Sequence, residues 1–162
     1  MNKRVQLIVL HLSIIFALAA LFSCEKTARN KESEATEKLA SLVFYDSLDM
    51  KNIEIITEIV QDDYHRARGL MFRENLPENQ GMLFIFDDEA PRYFWMKNTT
   101  ISLDIIYLNA GSRIIKIHKN TLPLSESLYP SEEPSMYVVE VRADFTERYQ
   151  INVGDSVSWQ EL

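Results

Sequence analysis

Leu103-Asp104-Ile105-Ile106-Tyr107-Leu108-Asn109-Ala110-Gly111-Ser112-Arg113-Ile114-Ile115-Lys116-Ile117-His118 consists of two strand-length apolar runs around a polar turn. Asn109, Gly111 and Ser112 are turn formers, so the runs 103–108 and 113–118 should pair as a β-hairpin. The same grammar extends in both directions. Upstream, Asn52–Val60 places Ile53, Ile55 and Ile59 on one face and Glu54 and Glu58 on the other, a half-buried strand. Asp62 or Asp63 can cap a short helix over Tyr64–Met71, with Arg66 and Arg68 late, where they suit the helix dipole. Strands are expected at Met82–Phe86 and Tyr93–Met96, with the acids Asp87-Asp88-Glu89 in a solvated turn between them. Downstream come a Pro-rich loop at 121–135, a strand at 137–142, a short helix near Asp144–Tyr149 and a last strand at Ser156–Trp159. No long helix alternates with these strands. The expected fold is mainly β with a minor α part: a single β-sandwich or barrel-like domain with one or two short helices.

The start of the chain has a different composition. Lys3 and Arg4 precede an almost wholly apolar run from Val5 to Phe22, followed by Ser23-Cys24 and then a charged stretch. Charge, apolar core and a small residue before the cut define an export signal over 1–23. Leu21 at −3, Ser23 at −1 and the chain's one cysteine at the cleavage point resemble a bacterial lipobox, which implies that Cys24 is acylated with fatty acids such as palmitate. Several acyl chains anchor firmly where one is marginal. Residues 25–41 hold four basic and four acidic side chains and little to bury, so 24–41 is expected to be a lipidated cysteine and flexible tether. The folded domain is expected at 42–162, outside the cytoplasm and moored to the cell envelope. A single cysteine rules out an internal disulfide. Formal net charge is −7, and without the two cations of the leader it is −9. A surface that acidic, with no basic stripe, would be repelled by phosphate backbones, so nucleic acid is not an expected partner.

Within the domain, Arg66-Ala67-Arg68-Gly69-Leu70-Met71-Phe72-Arg73, Leu76-Pro77, Gly81–Phe86, Phe94-Trp95-Met96-Lys97-Asn98-Thr99, Leu103-Asp104-Ile105, Tyr129-Pro130, Tyr137–Glu140 and Val153-Gly154-Asp155 occur in a familiar order. In that order and spacing they resemble the domain-of-unknown-function family 192, small bacterial proteins that are often exported. The resemblance implies a compact, mainly β domain. It implies no reaction.

The chain lacks a Gly-rich phosphate loop, a Gly-x-Ser-x-Gly elbow and a His-Glu-x-x-His pair. His65 and His118 are far apart and have no neighbouring ligand set, so no metal or cofactor is expected. The sharpest constellation is Trp95, Met96, Asn98 and Thr99 together with Arg68, Met71, Arg73 and Asp104. An aromatic or thioether wall beside arginines and an amide suits a small anionic or sugar-like ligand, or the surface of an envelope protein. Asp104 and Glu140 are acids inside otherwise apolar strands and should have partners, with Arg68, Arg73 and Arg142 the nearest cations. The expected function is a non-catalytic binding domain. The alternative is a hydrolase or transferase acting on envelope carbohydrate or peptide, with Asp104 or Glu140 as general acid or base.

Overall fold

Seven strands and two short helices make up the domain in a computed structural model that describes residues 38–46 and 52–162. The leader, Cys24 and most of the expected tether lie outside the described residues. The elements are β1 (Lys38–Tyr45), β2 (Asn52–Val60), α1 (Asp63–Arg68), β3 (Gln80–Phe94), β4 (Leu103–Leu108), β5 (Ile114–His118), β6 (Tyr129–Arg142), α2 (Phe145–Arg148) and β7 (Ser156–Glu161). They form one curled sheet, a half-barrel, in the order β5-β4-β6-β3-β2-β1-β7. Its two edge strands approach at the Arg113–Ser156 bridge, where Ile114 N–H donates to Asp155 O at 2.9 Å. All pairings are antiparallel except β2 with β3. The parallel pair needs a crossover, which α1 and the segment 69–79 supply.

The hairpin forms as its sequence dictates: Asn109 N–H donates to Arg113 O, and Asn109 Oδ1 accepts from Arg113 N–H, both at 3.0 Å. Every residue of β4 is buried, because hydrophobic clusters cover both of its faces. Ile106 and Leu108 enter the cluster inside the curl with Leu42, Phe44, Leu83, Val139 and Val157. Leu103, Ile105 and Tyr107 face the other cluster with Leu70, Leu76, Met82, Phe84 and Met96. A fully buried aliphatic side chain of this kind contributes about 1.5–3 kcal/mol.

Three expectations need correcting. Lys38–Ser41, assigned to the tether, form the first half of β1. Locally they have few apolar groups, but Ala40 is fully buried and the strand is paired on both sides, by β2 and β7. The two strands expected at 82–86 and 93–96 are one long β3, and Asp87-Asp88-Glu89 lie inside it rather than in a turn. There the register slips between Ile85 and Ala90, so the extra residues bulge and the strand bends. Finally, β6 begins at Tyr129, and much of the expected loop is strand despite Pro130 and Pro134. Pro134 sits opposite Pro91 and Pro130 opposite Tyr93, in a two-stranded ribbon whose outer edges need no ladder donor. The ribbon turns back over the sheet. Phe94 packs edge-on against Phe84 at 5.0 Å and Tyr107 at 5.8 Å, and the Tyr107 hydroxyl donates to Tyr129 O at 2.6 Å.

Candidate functional site

The expected site sorts into a buried part and an exposed part. Met96 is fully buried and Thr99 nearly so; the Thr121 hydroxyl donates to the Met96 sulfur at 3.2 Å. Asp104 lies apart from both, on the inner face of β4 and completely buried. Its expected arginine partner is not there. One oxygen accepts from Asn120 N–H at 2.9 Å, and the other accepts from Thr146 N–H at 2.9 Å and the Thr146 hydroxyl at 2.7 Å. Backbone and hydroxyl donors therefore satisfy it in place of a cation, and it fastens α2 and the exit of β5 onto β4.

Arg73 makes a two-pronged pair with Glu58 of β2, not with Asp104 or Glu140. Glu58, Met82 and Glu140 form one row across β2, β3 and β6 on the outer face. Glu140 is only 4% exposed, and no hydrogen bond or ion pair reaches its carboxyl among the described residues. Its Oε2 lies 3.7 Å from where a Cβ on Gly69 would stand, beside the Phe84 ring. Burial pushes its carboxyl up to about 8, against a partial opposing pull from Arg73. Arg142, the other expected partner, is exposed and lines a cavity of about 90 Å³ with Glu78, Asp144 and Arg148.

What comes together at the surface is a face built from three loops. The segment after α1 docks on the segment after β3 through Phe72 N–H to Asn98 O at 2.9 Å. The loop before β6 docks on the same segment through Leu124 N–H to Thr99 O at 2.9 Å, with Met96 N–H reaching Ser125 O at 3.0 Å. Asn98 also directs its amide at the Met71 sulfur, 3.9 Å away. Arg68, exposed at the end of α1, has no side-chain partner among the described residues. Trp95 is 41% exposed with Lys97 Nζ 5.0 Å from its ring, and Lys97 also pairs with Glu126. On the loops that these bonds join, Phe72, Leu122, Leu124 and Leu128 are 68%, 66%, 60% and 59% exposed. The sequence reading missed these four. Their only local signal was apolar residues set among turn formers, which cannot be told from core without the fold.

A profile described as an uncharacterized ACR, DUF192, matches residues 46–159. The chain belongs to the DUF192 family. The DUF192 match takes in every candidate residue from Arg68 to Glu140 and starts just after β1. Among solved structures, a candidate transcription regulator from Sinorhizobium meliloti 1021 superposes with a TM-score of 0.76 at 30% identity, over 78% of this chain and 98% of that one. A protein of unknown function from Novosphingobium aromaticivorans DSM 12444 gives 0.73 at 28% identity, over 78% and 89%. Comparison with curated proteins gives no match.

Proposed function

We propose that this chain is a lipid-anchored, extracytoplasmic domain of the bacterial cell envelope that docks, without catalysis, through the three-loop face around Trp95–Thr99. One observation carries the docking role. Phe72 and Leu124 both take positive φ, 63° and 60°, a conformation that costs a bulky residue about 1–2 kcal/mol. Each is held there by the hydrogen bond its N–H donates to one of two adjacent carbonyls, Asn98 or Thr99, and each side chain is exposed. Exposed apolar residues grouped in this way mark an interaction surface. Met96 and Thr99 are buried rather than lining a pocket, which favours docking onto an extended surface over binding of a small ligand. Asp104, the first candidate general acid or base, is fully engaged in fastening the fold.

A photoreactive residue placed at Leu124 of the full chain in cells tests the docking role, with Val153, 60% exposed on another loop, as control. Adducts at 124 and none at 153 are expected; absence of adducts at 124, or equal yields at both, would refute the docking face. For the anchor, labelled fatty acid should enter the chain and disappear in Cys24→Ala.

A further inference from the structure

The docking role leaves open what occupies the face. We propose that it is the membrane itself: the three-loop face seats Phe72, Trp95, Leu122, Leu124 and Leu128 in the headgroup and upper acyl region of the bilayer to which the chain is moored. This rests on the lipid-anchored reading above and supplies its partner. Four observations converge. Cys24 and Lys38 are fourteen residues apart, so even a fully extended connection spans no more than about 50 Å. A domain held that close meets the bilayer at a high effective concentration, whereas a soluble partner has to arrive by diffusion.

The chemistry of the face also suits lipid. Three leucines, a phenylalanine and a tryptophan with a lysine over its ring make the mixture that settles at a membrane interface, where the ring and the lysine stem lie in the apolar zone and the Lys97–Glu126 pair stays at the headgroup level. In a chain of net charge −9 once the leader is removed, Arg68 and Lys119 stand exposed without ion-pair partners among the described residues, Arg68 four residues before Phe72 and Lys119 three before Leu122. They offer anionic headgroups local attraction that the molecule as a whole does not. Four amides of these loops are already hydrogen-bonded within the protein. Phe72, Leu124 and Met96 donate to neighbouring carbonyls, and Leu122 N–H donates to the Tyr129 hydroxyl at 3.0 Å. A protein partner could supply hydrogen bonds to open amides; hydrocarbon cannot, so closing these amides in advance matters most for a lipid surface.

Trp95 and Trp159 are the two tryptophans, so Trp159→Phe leaves Trp95 as a reporter. The full acylated chain carrying that change is reconstituted in phosphatidylethanolamine–phosphatidylglycerol vesicles with acyl-brominated lipid, its fold checked by circular dichroism. Bromolipid should lower Trp95 emission at least twofold, and Phe72→Ser with Leu124→Ser should abolish that quenching while the chain stays vesicle-bound through Cys24. If bromolipid has no effect and aqueous iodide quenches Trp95 equally with and without vesicles, membrane seating is refuted. The photoreactive probe at Leu124 separates the two failures. Capture of a protein, including a second copy of this chain, overturns the lipid occupant and leaves the docking face standing; capture of nothing overturns both.

Discussion

Glu140 and Asp104 are both carboxylates inside apolar strands, yet their surroundings treat them in opposite ways. Asp104 collects three hydrogen bonds from Asn120 and Thr146, whereas Glu140 faces Gly69 and Phe84 with Arg73 as the nearby opposite charge. Arg73 is itself committed to Glu58, and Tyr107 adds only a neutral neighbour. The pH consequence follows from the direction of the shift. The folded carboxyl is pushed from 4.5 to about 8, so its contribution to stability is complete below about pH 4.5 and is lost as pH rises through about 8. The full span is on the order of 5 kcal/mol. Urea unfolding at pH 5 and pH 9 should show the natural chain losing more stability than Glu140→Gln, with the variant the more stable of the two at pH 9. Parallel pH curves for the two chains would mean the carboxyl is solvated in the folded state.

At the scale of elements, β3 is the strand on which the outer face depends, and Gly81 is where it meets its neighbours most closely. A Cβ there would lie 2.7 Å from the Glu140 carbonyl oxygen and 3.2 Å from Val141 Cγ1. The nearer obstacle is backbone and cannot rotate away, so β6 has to move. Gly81→Ala is expected to destabilise by about 2–3 kcal/mol, read from the urea midpoint, and to loosen the row in which Glu140 is buried. A midpoint unchanged within error would show that β3 and β6 are further apart than described. The bulge after Ile85 then turns β3 and β6 back over the sheet, bringing the segment after Phe94 within hydrogen-bonding reach of the other two loops.

Across the whole molecule, closure of the curl depends on β1. It joins β2 to β7, whose other backbone pairing among the described residues is the short contact of Ser156 and Val157 with Arg113 and Ser112. Deleting Lys38–Ser41 should therefore release β7, lower the melting temperature by roughly 10 °C or more, and shift the emission of Trp159, which packs on Tyr137 at 4.7 Å. Retention of the natural melting curve would return those residues to the tether. The alternation of apolar and polar residues by itself determined that the chain is a β domain, where β2, β4 and β5 run, and that Asp62 or Asp63 caps the first helix, of which the structure selects Asp62, because period and turn chemistry are local properties. Only the tertiary structure decided that 38–41 belong to the sheet, that three loops dock on one another, and which of two similar acids collects hydrogen bonds and which faces an apolar ring with only a nearby arginine charge. Those outcomes depend on what lies opposite a residue after the sheet curls, and the partners come from positions far away in the chain, such as Thr146 for Asp104 and Ser125 for Met96.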